Sequence, residues 1–109
     1  MKAIDPQAAM EQIWKLAPEY AKAKSERVYL EEFRKSKKAL LMQGHIDLPV
    51  SAQEREAYAD NEYVALLDGL KAAVEQEELL RWRMTSAQAA IEIWRTESAN
   101  ARQEGRATQ

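Results

Sequence analysis

Residues 63–101 read YVALLDGLKAAVEQEELLRWRMTSAQAAIEIWRTESANA, and apolar side chains recur along them at every third and fourth position. Tyr63, Leu66, Leu70, Ala73, Leu80, Met84, Ala87, Ile91, Trp94 and Ala101 fall on the a and d positions of a seven-residue repeat, where only Glu77 and Ser98 are polar. That period keeps the apolar members on one stripe of an α-helix, turned toward a second helix. The stretch therefore predicts one long helix that needs a helical partner along its length. It speaks of shape and association and carries no chemistry.

The rest of the chain has the composition to supply that partner. At 109 residues there is room for one domain. Apolar residues make up 46% and charged residues 31%, with three glycines and three prolines, the balance of a folded, strongly helical protein. No apolar run is long enough to span a membrane, and Met1-Lys2-Ala3-Ile4-Asp5-Pro6 lacks a signal-peptide core. The expected location is cytoplasmic. There is no cysteine, so disulfides, thiolate nucleophiles and zinc–thiolate sites are excluded together. The net charge of −2 is uneven: residues 1–43 hold nine Lys/Arg against six Asp/Glu, while residues 44–60 hold one against four. An electrostatic DNA binder is normally basic overall, so this total argues against an obligatory nucleic-acid partner.

Asp5 followed by Pro6 marks a helix start, because the carboxylate can accept from free N–H groups and proline lacks a donor that would go unused. Pro18 cannot donate to the carbonyl four residues back, so a kink or short break is expected there, giving helices over 6–17 and 18–43, with Gly44 as the stop. Residues 44–50 read as a loop. Ser51-Ala52-Gln53-Glu54 matches the capping box and predicts a short helix over 52–59. Asp60 can cap the last helix, over 61–104, leaving a frayed tail at 105–109. The fold expected is all-α: a long antiparallel helical hairpin, coiled-coil-like, with a short helix in its connection.

Antiparallel pairing sets Leu40 by Leu66, Phe33 by Ala73, and Trp14 by Ile91 and Trp94. Glu77 is then a charge at a core position with Arg27 about one turn away on the facing helix. Either the two pair and fix the register, or Glu77 turns out to solvent. More apolar surface exists than one stripe uses: Val28, Leu41, Leu67, Val74, Leu79, Trp82 and Ile93 lie beside or behind it. The surplus suggests a homodimer forming a helical bundle, with Trp82, Ile93 and Trp94 as candidate interface residues.

Catalytic constellations are not legible. His45, the sole histidine, stands two residues from Asp47 with no nucleophile nearby and no second histidine for a metal. No cofactor is indicated, and the glycines at 44, 69 and 105 are too scattered for a phosphate loop. The best candidate for binding is Arg34-Lys35-Ser36-Lys37-Lys38, with Arg27 upstream; it can contact phosphates, or it can be a solvated helix end. Arg81, Arg83 and Arg95 interleave with Trp82 and Trp94, a pattern that suits base stacking as well as a helix interface.

From Glu26 to Met42 (ERVYLEEFRKSKKALLM), and on through Ala57-Tyr58, Glu62-Tyr63, Leu79-Leu80-Arg81-Trp82, Ala87-Gln88-Ala89 and Ile91-Glu92-Ile93-Trp94-Arg95, the chain resembles small helical proteins of tailed phages and prophages. Those proteins look like products of early-region genes near recombination or replication functions. The resemblance implies a non-enzymatic accessory or interaction protein in the host-cell cytoplasm, with a phage or host protein as partner, and supplies no catalytic residues. Direct nucleic-acid binding through the basic end of the first long helix is the alternative, and an adaptor or inhibitor of a host protein is another.

Overall fold

A computed structural model describes residues 3–107. They form three α-helices, α1 (Pro6–Gln43), α2 (Val50–Ala59) and α3 (Asn61–Ala107), and no strand occurs among the described residues. The all-α helical hairpin expected from the seven-residue repeat is the architecture observed. No described helix is long and apolar enough to cross a membrane.

The helix starts follow from two aspartates and a proline. Asp5 Oδ1 accepts from the N–H groups of Gln7 and Ala8 at 3.0 and 3.3 Å, and its carbonyl accepts from Ala9. Asp60 repeats the arrangement for α3, accepting from the Glu62 N–H at 2.7 Å and, through its carbonyl, from Val64. The capping box at Ser51 does not form. Pro49, with an extended ψ of 153°, starts α2 instead; its carbonyl accepts from Gln53 N–H, and Ser51 lies within the first turn. Gln53 Nε2 donates to the Leu48 carbonyl at 2.8 Å and ties the connection to that turn. Here a proline geometry outcompetes a serine cap, so α2 begins at Val50.

Two further expectations are corrected. The backbone stays helical through Pro18, so residues 6–17 and 18–43 are one helix without a break. A single missing N–H and one crowded carbonyl leave the turns on either side intact, and the packed stripe continues past them. The last helix runs on through Glu104 to Ala107, with Gly105 and Arg106 helical; Thr108 and Gln109, the rest of the expected frayed tail, lie outside the described residues. Gly44 does follow the end of α1, but no glycine has positive φ. The chain leaves α1 through tight turns in which Gly44 and His45 N–H groups donate to the Leu41 and Met42 carbonyls.

The described residues divide into two compact units, the first containing the chain up to Tyr20 with Leu79 onward and the second spanning Ala21–Glu78. In this second, central unit Arg27 reaches Glu77 and Lys37 reaches Glu62. Rising numbers on α1 meet falling numbers on α3, so the two are antiparallel. Ala23, Ala57, Tyr63 and Glu77 are buried there, and Tyr58 meets Tyr63 edge to face at 5.2 Å. In the terminal unit Ala9, Leu16, Leu80 and Ala87 are buried.

Every a and d position of α3 from Tyr63 to Ile91 is buried or half-buried. On α1 the corresponding stripe is Ala9, Ile13, Leu16, Tyr20, Ala23, Arg27 and Leu30, spaced alternately four and three apart. Trp14 and Leu40, expected to face α3, are instead 62% and 56% exposed. They sit one residue from Ile13 and Leu41, and one residue turns a side chain by about 100° around the helix. Large side chains drew the expectation off a stripe that is built partly from alanines and an arginine.

Candidate nucleic-acid and partner-binding surfaces

In the central unit the buried Glu77, only 7% exposed, meets Arg27 in a bidentate pair. Arg27 Nε donates to Oε2 at 2.6 Å and Nη2 to Oε1 at 3.0 Å, while Nη1 donates to Glu31 at 3.0 Å. The planar guanidinium fork matches the carboxylate edge, a fit that a lysine could not reproduce. Glu77, and after it Glu31, hold the Arg27 guanidinium above its ordinary pKa against the opposing effect of burial. Of the two readings of Glu77, the paired one is correct. Arg27 therefore belongs to the packing of α1 on α3 and leaves the set of cations that face solvent.

The three candidate lysines of α1 are also engaged. Lys37 Nζ lies 3.2 Å from Glu62 of α3, Lys38 Nζ 3.4 Å from Glu54 of α2, and Lys35 Nζ 3.4 Å from Glu32 one turn back. Lys38 also stands 4.8 Å from the centre of the Tyr58 ring. Its ammonium is pushed above the ordinary lysine value by hydrogen bonding with Tyr58, against the opposing effect of burial, and further by Glu54. The acidic connection noted in the sequence thus folds back onto the basic helix end, and Glu54 and Glu62 act as its counter-charges.

Arg34, Lys35 and Lys38 nevertheless line one hollow of about 560 Å³ with Tyr58 and Tyr63. Three cations beside two aromatic rings can receive a phosphate and a base, so this is where an anionic ligand would fit in the central unit. Sequence reading found the three cations but missed both tyrosines. Tyr58 and Tyr63 stand outside the basic run, and the α1–α2 connection together with the turn at Asp60 brings them to it.

Arg81 and Arg83 belong to the terminal unit, on exposed positions of α3. The Arg81 guanidinium lies 4.8 Å from the centre of the Trp82 ring. Trp82 is 59% exposed, Ile93 50% and Trp94 40%. Trp94 is at the edge of the internal stripe, whereas Trp82 and Ile93 face away from it. Arg95 pairs with Glu92 at 3.1 Å along the same helix. His45 is half-buried in the α1–α2 connection. Among the described residues no three His, Cys, Asp or Glu side chains converge to hold a metal ion. No known protein family, no curated protein and no solved structure matches this chain.

Proposed function

We propose that the protein is a non-enzymatic helical interaction module, serving as an accessory in phage DNA recombination or replication. The observation that carries the interaction part is the number of large apolar side chains left on helix surfaces, among them Met10, Trp14, Val28, Leu79, Trp82 and Ile93. Isolated surface leucines need no explanation, but tryptophans and isoleucines aligned along helix faces are the composition of interfaces. The phage setting rests on the sequence resemblance, which is association and assigns no activity.

A second reading, direct nucleic-acid binding, draws on the hollow formed by Arg34, Lys35, Lys38, Tyr58 and Tyr63. It is opposed by the carboxylates already set against Lys35, Lys37 and Lys38. Fluorescence anisotropy with labelled single- and double-stranded DNA, at low and near-physiological salt, separates the two. The interaction reading expects no binding at physiological salt, and co-purified partners that are lost on Trp14→Ser or Trp82→Ser but kept on Arg34→Glu. Micromolar binding that weakens steeply with salt and disappears on Arg34→Glu would instead put the hollow first.

A further inference from the structure

The outward face of α3 in the terminal unit carries a second seven-residue stripe. Leu79, Trp82, Ser86, Ala89, Ile93 and Thr96 follow one another at alternating spacings of three and four, and all six are exposed. They lie on the opposite side of the helix from Leu80, Met84, Ala87 and Ile91, which are buried or half-buried inside the unit. Toward the C-terminal end of this stripe Ile93 and Thr96, with Glu92 and Glu97 on either side, line a shallow hollow of about 270 Å³. Toward its N-terminal end Trp82 projects between Arg81 and Arg83. One half of the stripe thus offers an aromatic knob flanked by two cations, and the other half an apolar hollow flanked by two carboxylates.

We propose that this stripe is the interface of a two-fold antiparallel homodimer, in which Trp82 of each copy seats in the Ile93–Thr96 hollow of the other. The inference rests on the reading that exposed apolar faces of this chain are interfaces, and it gives one of them its occupant. Two-fold symmetry requires a self-complementary surface, and here the complementarity is of both shape and charge. Arg83 and Glu97 lie on the same flank of the stripe, so antiparallel pairing brings Arg83 of one copy to Glu97 of the other, twice. Arg81 and Glu92 lie on the opposite flank and meet in the same way, with Glu92 also holding Arg95 within its own helix. Near the two-fold axis stand Ser86 and Ala89, whose small side chains let the two helices approach closely. A parallel pair would instead set Trp82 against Trp82 and Arg83 of one copy against Arg81 of the other.

Sedimentation equilibrium of the purified chain tests this directly, with circular dichroism to confirm that each variant keeps its helices. The expected result is a dimer whose dissociation constant rises about thirtyfold or more on Trp82→Ser, a solvent-facing change that leaves the internal stripe untouched. Arg83→Glu alone and Glu97→Arg alone should each weaken the dimer, and the two exchanges together should restore it. The chain has no cysteine, so single spin labels at Thr85→Cys and Ala99→Cys report direction. Antiparallel pairing puts the two labels about 9 Å apart along the axis at position 85 and about 33 Å apart at position 99. A parallel pair keeps both distances short. A monomer at hundreds of micromolar, a dimer indifferent to Trp82→Ser and the charge exchange, or short distances at both positions would each overturn the proposal. A monomer that still recovers another protein through Trp82 overturns self-pairing alone and leaves the interaction reading standing.

Discussion

Arg27 and Glu77 set the terms for a charge inside a helical seam. Desolvating a carboxylate is costly, and the fork of two hydrogen bonds at 2.6 and 3.0 Å offsets that cost only while both partners are present. Glu77→Ala should therefore destabilise the protein by about 2 kcal/mol in urea unfolding, because it strands a half-buried guanidinium. The double change Arg27→Met with Glu77→Leu should recover most or all of that loss. A different residue-scale effect is expected at Gly69, in the interior of α3, where an added Cβ meets nothing within 4 Å and φ is negative. Gly69→Ala should raise stability by about 1 kcal/mol, since alanine costs less backbone entropy in a helix. Thermal melts of the single variant check it. The Arg27–Glu77 pair was legible in the sequence as one of two alternatives. Which alternative held depends on the reach of a side chain across the seam, and that is not a property of spacing.

Helix starts and interruptions show how far local rules carry. Asp5 and Asp60 were readable because their capping needs nothing beyond three neighbouring residues, and Asp60→Ala should cost about 1 kcal/mol while Ser51→Ala costs almost nothing. Equal losses for the two in chemical denaturation would contradict the assignment of Pro49 as the start of α2. The α3 stripe was legible from Tyr63 to Ile91 because its period is regular and is carried mostly by large residues, whereas Trp94 and Ala101, expected on the same stripe, are exposed. The α1 stripe was not, since alanines at 9 and 23 and an arginine at 27 carry little hydrophobic signal, and Trp14 and Leu40 carry too much in the wrong place. Pro18 was misjudged for a related reason. Local rules set a breaking tendency there, but they do not include the buried Leu16 and Ala23 on either side that hold the helix down. Pro18→Ala returns a backbone donor toward the Trp14 carbonyl and removes a steric conflict, so it should stabilise the chain by about 1–3 kcal/mol with an unchanged helical spectrum. A large gain in ellipticity would mean that α1 is not continuous in solution.

For the molecule as a whole the ratio of buried to exposed apolar side chains decides how stability responds to concentration. Among the described residues only Ala9, Leu16, Ala23, Ala57, Tyr63, Leu80 and Ala87 form the buried apolar set, four of them alanines, while Trp14, Trp82, Ile93 and Leu79 remain in water. Burial of apolar area is the main force opposing chain entropy, at about 25 cal/mol per Å², and a core of this size leaves a single chain little margin. Association through the outer stripe of α3 would add apolar area that the isolated chain lacks, and mass action then ties folding to protein concentration. The midpoint of thermal unfolding should rise by roughly 5–10 °C when concentration increases a hundredfold. Trp82→Ser should abolish the dependence while lowering the midpoint toward that of the dilute wild type. Trp14→Ser, on a face of α1 outside the proposed interface, should leave the dependence intact. A midpoint that is the same at every concentration would mean that the thin internal stripe suffices alone, and that the exposed face of α3 serves a different partner.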